Sequence, residues 1–114
     1  MSAIRIVLAI LALGATWGAG GSASAQAYPS KPIHIVVPFA PGGITDILAR
    51  SLGQKLTDAW GQQVVIENKP GANSQIGAEL VAKAAPDGYT LLVSADTTFV
   101  MNPHLYAKLG YDPV

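Results

Sequence analysis

This chain alternates short β-branched runs with longer segments of helical periodicity, and no other feature of the sequence restricts its fold as strongly. Residues 33–37, IHIVV, are almost wholly apolar, which is typical of a strand buried on both faces of a parallel sheet. Residues 44–60 repeat apolar side chains at every fourth position, which predicts an amphipathic helix that ends at Gly61. The apolar row of this helix contains Ile44, Leu48, Leu52 and Leu56.

The same alternation continues along the chain. Residues 63–67 form the second predicted strand, and the second helix is predicted to start near Asn73 or Ser74, either of which is a candidate side-chain cap. Residues 90–94 form the third predicted strand, and residues 96–101 a short helical turn before an Asn-Pro pair. This β-α-β-α-β order predicts the α/β fold class, with a parallel sheet and right-handed crossovers.

Parallel sheets of this kind bind ligands beyond the carboxyl ends of their strands, where the chain turns into the following helix. The sequence has three such turns, at residues 39–43, 68–75 and 94–98. We therefore expect any binding site to be built from these three segments.

Residues 1–25 have the organisation of a secretory signal peptide. A basic residue precedes the apolar stretch 6–19, and residues 23–25, ASA, match the small-residue pattern of a cleavage site. The apolar stretch is shorter than the roughly 18 residues that a membrane-spanning helix needs. We therefore expect export to the periplasm, cleavage near Ala25, and a mature segment 26–114 with six bases and seven acids.

Composition excludes several classes of function. The 7 Lys and Arg residues balance the 7 Asp and Glu residues, which argues against a nucleic-acid partner held by a basic surface. Cysteine is absent, and the acids and histidines lack metal-ligand spacing, so we expect no metal and no cofactor. Ser94, Asp96 and His104 have triad residue types without a nucleophile-elbow sequence, so no catalytic residue is expected. His34 lies in an apolar strand and is interpreted as a hydrogen-bonded core residue.

The segment PGGITD, residues 41–46, is the most informative of the three turns. Gly42 and Gly43 remove side-chain bulk where the first helix exposes unpaired amides, so these amides make a small anion site without Lys or Arg. Thr45 adds a hydroxyl, and Asp46 in the first turn stabilises the helix. A capped turn without a ligand explains the same residues equally well, and the local sequence does not separate the two interpretations.

The segment GANSQIG, residues 71–77, is glycine-containing but does not match a nucleotide site. It lacks the G-x-G-x-x-G spacing of the dinucleotide fingerprint, and it lacks the Lys and Ser/Thr of the phosphate loop. Asn73, Ser74 and Gln75 remain as candidate ligand donors.

Short motifs follow one another over nearly the whole mature segment. They are residues 28–33 (YPSKPI), 37–46 (VPFAPGGITD), 67–72 (ENKPGA), 76–77 (IG), 86–91 (PDGYTL), 102–106 (NPHLY) and 111–113 (YDP). In this order they resemble Bug-type extracytoplasmic solute receptors, the periplasmic binding proteins of tripartite tricarboxylate transporters.

The resemblance implies that the chain is part of lobe 1 of a two-lobed periplasmic binding protein, a receptor rather than an enzyme, which closes on a small carboxylate. It further implies membrane components of a tripartite tricarboxylate transporter as partners, and a monomer for the full-length family member. The carboxylate is expected to be held mainly by main-chain amides and bridging waters. The binding residues that the resemblance implies are Phe39, Ala40, Gly42, Gly43, Thr45, Asn73, Ser74, Gln75, Ser94, Ala95, Asp96 and Thr97.

Family members are much longer, and their chain crosses to a second lobe and returns to the first. This sequence stops within the pattern at residues 111–114, YDPV, so we expect residues 26–114 to be an incomplete N-terminal lobe that does not function alone. Two other classes stay open: a fragment of an exported or cytosolic α/β enzyme, and a flavodoxin-like interaction module. Stabilisation by a carboxylate without turnover distinguishes the receptor from both.

Overall fold

The computed structural model describes residues 25–113, so the predicted signal peptide lies almost entirely outside the described residues and stays a prediction. The elements in chain order are β1 (Ile33–Val37), α1 (Ile44–Trp60), β2 (Val64–Asn68), α2 (Gln75–Ala82), β3 (Thr90–Leu92), a π-helical turn (Thr97–Met101) and α3 (Asn102–Leu105). None of the helices within residues 25–113 has the length and apolar character needed to cross a membrane.

The three strands form one parallel sheet in the order β2-β1-β3. In this register Ile35 of β1 lies opposite Ile66 of β2 and Leu91 of β3. Because β1 is central and both crossovers are of the β-α-β type, α1 and α2 pack on opposite faces of the sheet. The predicted α/β fold class and its parallel β-α-β-α-β unit are confirmed.

The core lies on both faces of β1, which explains why its sequence is almost wholly apolar. Ile33, Ile35 and Val37 are buried on one face against Ala49 of α1. Val36 is buried on the other face, where α2 packs, since successive side chains of a strand point to opposite sides.

The face of α1 that packs on the sheet coincides only in part with the apolar row of the sequence. Ile44, Leu48 and Leu52 of the predicted apolar row are exposed, whereas Ala49 and Gly53 are buried. A Cβ atom added at Gly53 would lie 3.1 Å from Ile66 Cδ1, so the small residues permit close contact between α1 and β2. Of the apolar row, Leu56 packs against the core, so the row by itself does not mark the buried face, which depends on where the backbone can approach the sheet.

Two local expectations are also corrected. Ser74 precedes α2 but makes no side-chain capping hydrogen bond, because its backbone is left-handed with φ 72° and its hydroxyl is turned to other partners. His34 is exposed rather than part of the core, and its Nδ1 lies 2.6 Å from Glu67 Oε1 on the sheet surface. The predicted short helical turn before the Asn-Pro pair is present as the π-helical turn, and Asn102 begins the next helix, α3.

Candidate functional site

The carboxyl ends of the three strands meet at one edge of the sheet because the strands are parallel. The ladder reaches this edge intact: the Lys69 amide donates to the Val37 oxygen at 2.8 Å, and the Val93 amide to the Val36 oxygen at 3.0 Å. All twelve residues predicted to bind a ligand belong to the three segments that leave this edge, which we call loop 1 (residues 38–43 with the start of α1), loop 2 (69–75) and loop 3 (93–97).

Loop 1 presents the N-terminal end of α1. The first i→i−4 hydrogen bond of the helix runs from the Ile47 amide to the Gly43 oxygen at 3.0 Å, so the amides of Ile44, Thr45 and Asp46 have no helical acceptor. Gly43 is exposed at the N-cap position and has no side chain to cover these amides. The end of α1 therefore offers hydrogen-bond donors and the positive pole of the helix to an anion.

Asp46 holds loop 1 in shape rather than facing a ligand. Its buried carboxylate accepts hydrogen bonds from the Gly42 amide at 2.9 Å, Arg50 Nε at 3.0 Å and Asn68 Nδ2 at 2.9 Å. The Arg50 hydrogen bond, followed by that of the Gly42 amide, lowers the pKa of Asp46 to about 2. The Gly42 amide is thus bonded to Asp46 and is not free for a ligand. The predicted contribution of Gly42 is therefore its backbone conformation, because its φ of 88° favours glycine.

Asn68, the last residue of β2, is a site-forming residue that the sequence analysis did not single out. Its Nδ2 donates to the Phe39 oxygen at 3.2 Å as well as to Asp46, and its Oδ1 accepts from Arg50 Nη2 at 3.0 Å. Asn68 therefore ties loop 1 to the neighbouring strand. A polar amide at the carboxyl end of the strand was the available signal.

Loop 2 has an unusual backbone. Ala72, Asn73 and Ser74 are consecutive non-glycine residues with φ of 47°, 53° and 72°. Each such residue costs on the order of 1 kcal/mol or more, so the surrounding contacts must hold the loop in this form. The Gln75 amide donates to the Ala72 oxygen at 3.2 Å, which closes the turn at the start of α2.

The predicted side-chain donors of loop 2 are engaged within the protein. Asn73 Nδ2 donates to Asn102 Oδ1 at 2.8 Å, and the buried Ser74 hydroxyl lies 2.7 Å from Thr98 Oγ1. Gln75 is half-buried and its side chain has no hydrogen bond to a described residue. Loop 2 is therefore built to hold its own conformation, and Ser74 acts in it as a buried structural residue.

Loop 3 contains the half-buried Ser94 and Ala95, followed by the exposed Asp96. The Asp96 carboxylate accepts a hydrogen bond from the Thr97 amide at 2.8 Å, and the Thr98 amide donates to the Ala95 oxygen at 3.2 Å. The Thr97 amide is thus already satisfied. Ser94 presents the hydroxyl of this loop, and its Oγ lies 2.5 Å from Thr98 Oγ1.

Three residues outside the predicted set of binding residues complete the edge. Thr98 and Asn102 are wholly buried beneath loops 2 and 3, and Tyr111 reaches them with its hydroxyl, which donates to the Thr98 oxygen at 2.5 Å. Asn102 Nδ2 donates to the Asn73 oxygen at 2.8 Å and to the Tyr111 hydroxyl at 3.2 Å. A buried polar network of this kind arises from side chains 29 residues apart in sequence, so local pattern could not find it.

The remaining ionisable groups lie away from this edge or lack metal-binding geometry. Within residues 25–113, no group of three or more His, Asp or Glu side chains is arranged to hold a metal ion. His34 and Glu67 form a pair on the exposed sheet surface, and the hydrogen bond from His34 lowers the pKa of Glu67. The edge itself therefore offers main-chain amides, hydroxyls and one helix end.

Comparison with known proteins relates this architecture to solute receptors. A family model described as "Tripartite tricarboxylate transporter family receptor" matches residues 48–114. Two curated relatives from Bordetella pertussis, a UPF0065 protein and BugT, are 46% identical over 93 residues and 45% identical over 97 residues. These alignments cover 82% and 85% of this chain but only 29% and 30% of the relatives, so the chain spans less than a third of their length.

Solved structures agree with the family match. The periplasmic binding protein BugD superposes with a TM-score of 0.68 at 46% identity, covering 75% of this chain and 28% of BugD. MatC from Rhodopseudomonas palustris with bound malate superposes with a TM-score of 0.71 at 42% identity. An R. palustris protein with adipate superposes with a TM-score of 0.73 at 40% identity. Each match covers 75% of this chain and 29% of the solved chain. The chain belongs to the tripartite tricarboxylate transporter receptor family, as its motifs had indicated.

Proposed function

We propose that this chain is the carboxylate-binding segment of a periplasmic solute receptor that delivers its ligand to the membrane components of a tripartite tricarboxylate transporter. Residues 1–25 direct export, and residues 26–114 supply part of lobe 1. The ligand is a small carboxylate, and the protein binds it without converting it. Family membership favours this function over an α/β enzyme or a flavodoxin-like interaction module.

The observation that carries the proposal is the open amino end of α1 in loop 1. The amides of Ile44, Thr45 and Asp46 lie behind Gly43, which has no side chain, and Arg50 is already engaged by Asp46 and Asn68. A carboxylate is the anion that suits a few main-chain donors at a helix end without a dedicated cation. The malate and adipate in two related structures support the same ligand class.

The other predicted residues contribute to the proposed site in different ways. Phe39, Ala40, Gly43 and Thr45 line the anion site, and Ser94 with Ala95 faces it from loop 3. Asn73, Ser74 and Gln75 shape loop 2, and their main-chain groups meet the ligand and its bridging waters, because the side chains of Asn73 and Ser74 are engaged within the protein. Asp96 and Thr97 form the rim of loop 3, where Asp96 occupies the Thr97 amide.

The test places the segment in a complete receptor. In a chimera, residues 28–113 replace the matching segment of MatC, and malate binding is measured by calorimetric titration with the parent MatC alongside. We expect malate binding in the chimera and at least a tenfold loss in the variant Gly43→Val, because the added side chain covers the amides of α1.

The structure offers a fair control for this substitution. Gly43 has an ordinary φ of −75°, and a Cβ atom there would lie 3.7 Å from the Ala40 oxygen, an ordinary van der Waals distance, so the fold accommodates it. Ala82→Val adds bulk at an exposed position at the far end of α2 and is expected to leave affinity unchanged. Equal malate affinity in Gly43→Val and Ala82→Val would contradict the proposed anion site.

A further inference from the structure

Three hydroxyl groups form a short chain from the buried base of loop 2 to the surface of loop 3. Ser74 Oγ lies 2.7 Å from Thr98 Oγ1, which lies 2.5 Å from Ser94 Oγ. Ser74 and Thr98 are almost completely buried, whereas Ser94 is only half-buried. Each hydroxyl has a single hydrogen to donate, so the chain has a direction, and the direction decides what Ser94 offers to a ligand.

Asn102 defines the buried end of this chain. Its Nδ2 donates to the main-chain oxygen of Asn73, which can only accept, and its Oδ1 accepts from Asn73 Nδ2. The orientation of the Asn102 amide is therefore determined. The second hydrogen of Nδ2 is directed toward Tyr111 Oη at 3.2 Å and Ser74 Oγ at 3.4 Å. Asn102 is therefore a donor to Ser74, and it offers no acceptor for the hydroxyl hydrogen of Ser74.

The direction of the chain follows from this constraint. The one acceptor within hydrogen-bond distance of the buried Ser74 hydroxyl, among the described residues, is Thr98 Oγ1. A buried hydroxyl hydrogen without an acceptor costs about 1–3 kcal/mol, so Ser74 donates to Thr98. Thr98, wholly buried and accepting from Ser74, then donates to Ser94.

We propose that this one-way chain, Ser74 to Thr98 to Ser94, makes Ser94 an obligate hydrogen-bond donor toward the bound ligand, with Asn102 and Thr98 as positioning residues. Ser94 receives the Thr98 hydrogen, so its own hydroxyl hydrogen points to the open edge. An outward donor favours an ionised carboxylate over a neutral hydroxyl or an ester of the same shape. This inference deepens the proposed function and rests on it.

The first test reads the hydrogen positions directly and does not require a ligand. In the chimera described above, with labelled Ser and Thr, NMR detects the slowly exchanging hydroxyl hydrogens of buried Ser74 and Thr98. We expect a nuclear Overhauser contact from the Thr98 hydroxyl hydrogen to the Cβ hydrogens of Ser94. A contact from that hydrogen to the Cβ hydrogens of Ser74 would show the opposite direction and overturn the inference, whether or not malate binds.

The second test asks whether Thr98 acts on the ligand through Ser94. We expect Ser94→Ala and Thr98→Val each to weaken malate binding about five- to twentyfold, and Thr98→Ser, which keeps the hydroxyl, to retain most of the affinity. In the Ser94→Ala background, Thr98→Val should weaken malate binding by no more than about twofold further, because the donor that it orients is already gone.

The outcomes of the second test separate a positioning role from a structural one. If the double variant lost affinity by the product of the two single losses, Thr98 would act on the ligand independently of Ser94, through the stability of the fold. That result would contradict the inference. Dimethyl malate serves as a neutral probe, and Ser94→Ala should change its weak binding by less than twofold. A chimera that binds no malate at all contradicts the proposed function, while the NMR contacts still decide the direction of the hydroxyl chain.

Discussion

At the scale of single residues, polar side chains with several partners determine the shape of the candidate site at the edge of the sheet. The Asp46 carboxylate accepts hydrogen bonds from three donors, one each in loop 1, α1 and β2, and Asn102 holds both the main chain and the side chain of Asn73. Both hold a loop in a conformation that the loop sequence would not keep alone, which is most evident at the left-handed residues of loop 2.

The lowered pKa of Asp46 predicts a pH dependence of stability. The group titrates near 3.8 when unfolded and at about 2 when folded, so its contribution is complete above about pH 4 and is lost as the pH falls toward 2. In chemical denaturation of the chimera, the stability difference between the parent and Asp46→Asn should therefore shrink between pH 4 and pH 2. A stability difference between the parent and Asp46→Asn that stays constant from pH 4 to pH 2 would refute the assignment.

The hydroxyl of Tyr111 is predicted to stabilise the buried network. It donates to the Thr98 oxygen and accepts from Asn102 Nδ2, so Tyr111→Phe leaves a buried carbonyl and an amide hydrogen without this partner. We expect a loss of about 1–2 kcal/mol in the free energy of unfolding. Tyr106→Phe removes the same atom from an exposed side chain and should change stability by less than about 0.5 kcal/mol. Equal effects of the two substitutions would contradict the network.

At the scale of elements, close approach rather than hydrophobic bulk determines how the helices pack. Gly53 lets α1 lie against β2, and Gly77 brings the start of α2 against Pro38 at the end of β1. A Cβ atom at Gly77 would lie 2.7 Å from Pro38 Cβ and 3.0 Å from the Lys69 oxygen. Loops 1 and 2 are therefore held beside each other through Gly77.

Gly77→Ala is predicted to push α2 away from β1. The added methyl group meets backbone and ring atoms that have little room to move, so we expect a loss of about 1–3 kcal/mol in the free energy of unfolding, measured by denaturant titration. Gly43→Ala introduces the same methyl group at 3.7 Å from the Ala40 oxygen, and it should change stability much less. If Gly77→Ala were as stable as Gly43→Ala, the close approach would not matter.

At the scale of the whole molecule, the described residues leave a large apolar surface uncovered. Ile44, Leu48 and Leu52 form an exposed row on α1, and β2 and β3 are both edge strands of a parallel sheet. Parallel sheets are normally covered on both faces, and exposed strand edges favour association. The family relatives are more than three times as long as the matched region. Their additional residues are available to cover surfaces of this kind.

We therefore predict that residues 26–114 alone self-associate at micromolar concentration and bind malate weakly or not at all. In a two-lobed receptor the ligand is enclosed between the lobes. One incomplete lobe leaves the ligand exposed to water, where amide donors add little affinity. Analytical ultracentrifugation should show association that the double change Leu48→Glu and Leu52→Glu reduces, whereas Lys55→Glu at an exposed polar position does not. A monomeric segment that melts cooperatively and binds malate at micromolar affinity would contradict this prediction.

The sequence by itself determined the order and type of the main elements, because those follow from local periodicity and turn chemistry. α1 spans the predicted residues 44–60 with Gly61 as its left-handed cap, and the central strand β1 matches its apolar run. The position of the candidate site followed as well, since parallel strands bring their carboxyl ends to one edge. The family motifs added the ligand class that we propose, which composition could not supply.

Only the tertiary structure decided which helix face is buried and which side chains are free to meet a ligand. Ser74 and Asn73 looked like ligand donors locally, yet both side chains are committed to Thr98 and Asn102, which lie 24 and 29 residues further along the chain. Such commitments depend on distances between segments that are remote in sequence, and no local pattern encodes them. The direction of the hydroxyl chain that ends at Ser94 is decided in the same way, by burial and by the partners available in space.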